Sequence, residues 1–159
     1  MSDADGARAL ALGCAYLNRR ERTTAELRAH LLRRGVDEPL ADEAVRTLAD
    51  QGLLDDERFA RLFVAEKREL EQWGCDRIRR GLLSHGIDRE LAEAALARVG
   101  DGEDEPETEL ERALALLRRR FPALPADRRE CERALGVLLR KGYGSELALD
   151  ALAAHARDG

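Results

Sequence analysis

Aromatic residues are scarce in this chain, making up 4% of it with a single Trp, and β-branched residues are few. Strands draw on both, so the composition argues against any sheet. Cysteine is equally thin: Cys14, Cys75 and Cys131 are odd in number, far apart and without a Cys-x-x-Cys. Neither a disulfide framework nor a zinc site is expected, and the compartment reads as reducing, hence cytoplasmic. No long hydrophobic run exists. The stretch from Ala9 to Leu17 is far too short to cross a bilayer, and the acidic opening Ser2-Asp3-Ala4-Asp5 does not suit a signal peptide. Neither membrane insertion nor export is expected.

Chemistry-bearing motifs are also missing. Neither of the glycine patterns that cradle phosphate occurs, and no strand is predicted to precede one, so no nucleotide or other cofactor is expected. His30, His85 and His155 have no helix-spaced partner and no adjacent Ser or Cys nucleophile. Asp55-Asp56 could be half of a magnesium site, but no third carboxylate stands at a fixed local spacing. Placed just before Glu57-Arg58-Phe59-Ala60, either Asp reads more simply as an N-cap. The chain is expected to be non-enzymatic, with no metal.

What is present is Ala, Leu, Arg and Glu in helical proportions. Apolar residues make up 44% of 159, enough for a folded protein. Acids outnumber Lys and Arg by 32 to 27. Seven of those acids, Asp101, Glu103, Asp104, Glu105, Glu107, Glu109 and Glu111, crowd into one short stretch, and without them the balance is 25 against 27. The charge is therefore polarised, with an acidic join between bodies that carry local basic faces.

One pattern occurs three times. Leu31-Leu32-Arg33-Arg34-Gly35-Val36-Asp37 returns as Leu82-Leu83-Ser84-His85-Gly86-Ile87-Asp88 and again as Leu138-Leu139-Arg140-Lys141-Gly142-Tyr143-Gly144. Each reads as a helix C-terminus: an apolar end, cations that suit the negative end of the helix dipole, a Gly able to turn left-handed, and an apolar residue folding back. After each Gly comes an N-cap candidate, Asp37, Asp88 or Ser145, and a helix with one apolar stripe: Leu40, Ala44, Val45 and Leu48; Leu91, Ala95, Leu96 and Val99; Leu147, Ala151 and Leu152. Before each Leu-Leu lies a second helix, opened by the capping box Thr23-Thr24-Ala25-Glu26 in the first copy and by Asp76 in the second. A longer helix precedes that one: Ala7 to Asn18; Asp56 to Gln72 with Phe59, Leu62, Phe63, Leu70 and Trp73 on one side; and Glu107 to Arg120.

The expected fold is all-α: three tandem three-helix units stacked as a short, elongated, curved solenoid, because a unit of this size can hardly bury a core alone. The expected boundaries are 1–54, 55–100 and 107–159, with an acidic linker at 101–106. A monomer is expected.

Gly52-Leu53-Leu54-Asp55-Asp56-Glu57-Arg58-Phe59-Ala60, then Phe63-Val64, Trp73-Gly74-Cys75-Asp76-Arg77-Ile78 and His85-Gly86-Ile87, resemble the signature of the RecX family. The middle unit matches closely and the flanking units follow the family's three-repeat plan more loosely. Two positions depart from it: relatives often carry Gly where this chain has Gln72, and an acid where it has Gly81. The resemblance implies a protein that lies in the groove of the RecA filament on single-stranded DNA and opposes it, reducing ATP hydrolysis, strand exchange and co-protease activity.

The helical wheel leaves Arg58, Arg61 and Arg68 on the polar side of the first helix of the middle unit. Arg77 and Arg80, one turn apart on the next helix, point away from Ile78 and Leu82. These five form the candidate partner-binding patch. A solvated face is the plainer reading, since Glu57, Glu66, Glu69 and Glu71 lie nearby. Arg118, Arg119, Arg120, Arg128, Arg129 and Arg133 offer a second cluster. Two other functions compete. A DNA-binding module is suggested by the tight Gly turns, but the helices after them carry Asp42, Glu43 and Asp50, Glu90 and Glu93, and Glu146 and Asp150, which a major groove would repel. Weak, salt-sensitive contact with single-stranded or duplex DNA is still open. An adaptor solenoid for another partner fits the architecture equally.

Overall fold

The computed structural model describes residues 2–98 and 107–158, which form helices and turns without a strand. In chain order the helices are α1 (Asp3–Leu17), α2 (Thr24–Arg33), α3 (Glu38–Asp50), α4 (Asp56–Glu66), α5 (Cys75–Ser84), α6 (Arg89–Ala97), α7 (Glu109–Arg120), α8 (Arg128–Lys141) and α9 (Ser145–Arg157), with a π-turn at Lys67–Glu71. The all-α expectation is met. The linker expected at 101–106 and Val99 lie outside the described residues.

Caps define most starts. Thr23 accepts from the Glu26 amide while Glu26 reaches back to Thr23, which is the capping box read from the sequence, and Thr108 and Glu111 repeat it on α7. α1 starts earlier than Ala7, because Ser2 and Asp5 form a third such box. Two expected caps are displaced by a residue: Gly144 is the N-cap of α9 and Ser145 its first residue, and α5 begins at Cys75, ahead of Asp76. Asp55 caps α4, its carboxylate accepting from the Arg58 amide at 2.9 Å. Asp56 instead turns away and accepts from both the amide and the hydroxyl of Thr24, at 2.8 and 2.7 Å, holding the start of α2. The glycines that end α2, α5 and α8 are left-handed as expected, with φ of 83° at Gly35, 84° at Gly86 and 97° at Gly142.

Two compact bodies result, one of Met1–Leu62 with Leu82–Ala95, the other of Phe63–Gly81 with Leu96–Gly159. Each holds one outer set of three helices and part of the middle set. In the first, Ala9, Leu27, Leu31, Leu40, Ala44 and Leu48 are buried together, and Gly13 lets Leu48 approach α1 so closely that a Cβ there would lie 2.7 Å from it. In the second, Leu116, Leu117, Leu138, Tyr143 and Ala151 form the centre.

One expectation fails on α4. Leu62 and Leu70 do not join the apolar side: they are 50% and 77% exposed, and the buried residues are Ala60 and Val64. The cause is local. A π-turn admits an extra residue per turn, so the α-helical spacing that aligned Leu70 with Phe63 breaks at Lys67. Gln72 then closes the segment in the left-handed region at φ 57°.

Candidate partner-binding surface

The five arginines singled out by the sequence fall in different bodies and different settings. In the first body, Arg58 is half-buried and pairs with Glu21 at 3.3 Å while another nitrogen donates to the Gly52 carbonyl. Arg61 on the same helix is exposed.

In the second body the π-turn decides the outcome. It turns Lys67 and Arg68 inward and leaves Glu66, Glu69, Leu70 and Glu71 exposed. Arg68, expected outward, donates to the Leu96 carbonyl at 2.9 Å, closing the end of α6, and lies 3.8 Å from the Cys75 sulfur. Arg77 is also half-buried. Its guanidinium lies 4.1 Å from the centre of the Trp73 ring and donates to the Arg140 carbonyl. Lys67 approaches the same ring at 4.7 Å, so Trp73 holds two cations. Arg80 is exposed; its Nε makes a long contact of 3.5 Å to the Asp76 carbonyl within its own helix. Of the three candidate arginines in this body, only Arg80 faces solvent as the wheel predicts.

Periodicity could not show the residues that bind the π-turn to α7–α9. Lys141 donates to the Glu71 carbonyl at 2.9 Å, the Tyr143 hydroxyl to the Gln72 carbonyl at 3.1 Å, and Arg119 to the Gln72 side chain. Gly74 belongs to this contact too: its amide donates to the Lys141 carbonyl at 2.8 Å, and a Cβ on it would sit 2.6 Å from the Gly142 backbone. Burial pushes the Tyr143 phenol up to about 12, and burial followed by Glu109 raises the Cys75 thiol.

The second arginine cluster is partly tied down. Arg118 pairs with Asp158, Arg128 with Glu132 at 3.0 Å, and Arg133 lies 5.9 Å over Phe121, while Arg120 and Arg129 are exposed. Each histidine is engaged within its own body. His30 stacks on Tyr16 with centres 3.9 Å apart, His85 faces Glu26 at 3.4 Å, and buried His155 bonds the Phe121 carbonyl at 3.0 Å. Burial, then Arg33 and its neighbours, lowers the His30 pKa. Among the described residues no group of three or more His, Cys, Asp or Glu could hold a metal, and no helix is long and apolar enough to cross a membrane.

Comparison with known proteins covers most of the chain. The first, second and third three-helix domains of RecX match residues 9–48, 55–96 and 107–152. The regulatory protein RecX of Mycolicibacterium vanbaalenii is 33% identical, the match covering 94% of this chain and 83% of that protein. That of Halorhodospira halophila is 38% identical over 89% of this chain and 84% of its own. The crystal structure of RecX from Lactobacillus salivarius shares the fold, with a TM-score of 0.82 at 22% identity, covering 98% of this chain and 99% of that one.

Proposed function

Because this chain belongs to the RecX family of regulatory proteins, we propose that it is a non-enzymatic negative modulator of the RecA recombinase. In this reading it binds the RecA filament on single-stranded DNA in the cytoplasm and lowers its ATP hydrolysis, strand exchange and co-protease activity. The observation that carries the reading is the ordered match of all three family domains, together with relatives, matched over more than four-fifths of their own length, whose name is that of a regulator.

The surface favours a protein partner over duplex readout. Glu43, Asp50, Glu90, Glu93, Glu146 and Asp150, on the helices after the Gly turns, are exposed, and carboxylates there would meet phosphate repulsion. Exposed Arg61 and Arg80 are the members of the five-residue patch best placed to touch an acidic protein surface or a phosphate, each within its own body. Arg58, Arg68 and Arg77 act behind them by holding the helices in place.

The test is a titration of the protein into RecA with single-stranded DNA and ATP, following phosphate release, with duplex and single-stranded DNA binding by the protein alone measured alongside. The expected result is a dose-dependent fall in RecA ATPase with at most weak, salt-sensitive DNA binding. Unchanged RecA turnover at saturating concentrations overturns the reading.

A further inference from the structure

The three Gly turns are alike in backbone and unlike in surroundings. In each, the amide after the Gly folds back to the same helix carbonyl, Val36 to Leu31, Ile87 to Leu82 and Tyr143 to Leu138, at 3.0 to 3.1 Å. Two of the turns are covered by the start of a helix. In the first body, the turn ending α5 rests on the first turn of α2: the Thr23 hydroxyl donates to the His85 carbonyl at 2.6 Å, and a Cβ on Gly86 would stand 2.4 Å from that of Ala25. In the second body, the turn ending α8 rests on the first turn of α5. There the Gly74 and Asp76 amides donate to the Lys141 and Gly142 carbonyls at 2.8 and 3.1 Å, and a Cβ on Gly142 would stand 2.2 Å from that of Arg77.

Among the described residues the turn ending α2 has no such cover: none lies within 4 Å of a Cβ built on Gly35, Arg33, Arg34 and Gly35 are exposed, and Leu32 beside them is 37% exposed. A side chain of its own body reaches it: Arg8 donates to the Arg34 carbonyl at 2.9 Å. That carbonyl corresponds in position to those of His85 and Lys141, which the covered turns offer to a donor from a helix start.

We propose that the Leu32–Gly35 turn is a docking edge for the N-terminal turn of a helix on the partner protein. The two covered turns state the chemistry of the occupant. Each brings a helix start, through the Cβ of Ala25 or Arg77, to within 2.4 Å of where a Cβ on its Gly would stand, and that helix carries an acid in its first turn, Glu26 or Asp76. Free amides at a helix start complement the carbonyls of a helix end. An acid in that first turn also complements Arg33 and Arg34, which the open turn carries in place of Ser84 and His85. Arg8 holds the carbonyl until the partner's donor replaces it.

This inference rests on the proposed function, and its test keeps the two apart. The probe is the RecA filament on single-stranded DNA, with ATPase inhibition as readout and circular dichroism melts as the folding control. Gly35→Asn keeps a left-handed turn, which Asn tolerates, but adds a side chain where close approach is needed. Its half-inhibitory concentration should rise by about tenfold or more at an essentially unchanged melting point. Gly52→Asn is the control, since Gly52 is also left-handed (φ 78°) and open, and it should inhibit like the wild type. Arg8→Ala should inhibit at least as well as the wild type, because Arg8 must leave the carbonyl on docking. A Gly35→Asn protein that inhibits normally, or an Arg8→Ala protein that inhibits less, refutes the docking edge while leaving the proposed function intact. An inert wild-type protein refutes both. Concentration-dependent self-association that Gly35→Asn abolishes identifies a second copy as the occupant and overturns the partner assignment.

Discussion

Substituting Ala for the glycine of each turn separates what the backbone demands from what packing demands. All three positions are left-handed, so each variant bears the cost of a Cβ in that region, about 1 to 2 kcal/mol, offset in part by the lower entropy of the unfolded Ala chain. At Gly35 nothing else is near, and the net loss should be about 1 kcal/mol. At Gly86 the new Cβ meets that of Ala25 at 2.4 Å. At Gly142 it meets the Cβ, amide nitrogen and Cα of Arg77 at 2.2, 2.6 and 2.9 Å, atoms that cannot retreat unless α5 moves off the turn. Overpacking of that kind adds about 1 to 3 kcal/mol, so the expected totals are about 2 to 4 for Gly86→Ala and at or above the top of that range for Gly142→Ala. Urea unfolding followed by circular dichroism and by the fluorescence of the single Trp, Trp73, reads the order. The fluorescence midpoint should fall most for Gly142→Ala, which lies in the same body as Trp73. Adding Ala25→Gly to Gly86→Ala removes the clashing methyl and should restore about 1 to 2 kcal/mol, a coupling absent when Ala25→Gly is combined with Gly35→Ala. Equal losses at the three glycines, or no coupling to Ala25, would refute the claim that close approach distinguishes the turns.

Alkaline titration should destabilise the second body through Tyr143. Its folded pKa of about 12 lies above the ordinary value of 10, so its contribution is complete below pH 10 and is lost as pH rises towards 12. The loss is about 2 to 3 kcal/mol by linkage, and Tyr143→Phe should remove that pH dependence from the melting curve. Gln72→Gly should stabilise the protein by about 1 kcal/mol by relieving the left-handed backbone, less the exposed contact with Arg119, and a lower denaturation midpoint would show that the side chain matters more than the strain. Arg80→Glu should leave the melting point within about half a kcal/mol of wild type, whereas Arg77→Glu should lower it measurably by losing Trp73 and the Arg140 carbonyl; equal melting points would contradict the buried role of Arg77.

Read alone, the sequence established the helical class, the threefold recurrence and the handedness of the glycine turns, because these depend on interactions within about one helical turn. Thr23 and Glu26 cap their own helix, and Gly35, Gly86 and Gly142 are left-handed whatever surrounds them. The family could also be read from a few short segments between Gly52 and Ile87. Tertiary structure decided everything that depends on neighbours distant in sequence. Asp56 serves α2 instead of its own helix because Thr24 presents both an amide and a hydroxyl to it. Arg68 and Arg77 turn inward because the Leu96 and Arg140 carbonyls and the Trp73 ring offer them partners. Leu70 turns outward because the π-turn, held by Lys141, Tyr143 and Arg119, breaks the spacing that a helical wheel assumes. A periodic pattern describes one helix at a time, whereas the surface a partner meets is set by which side chains other helices have already engaged.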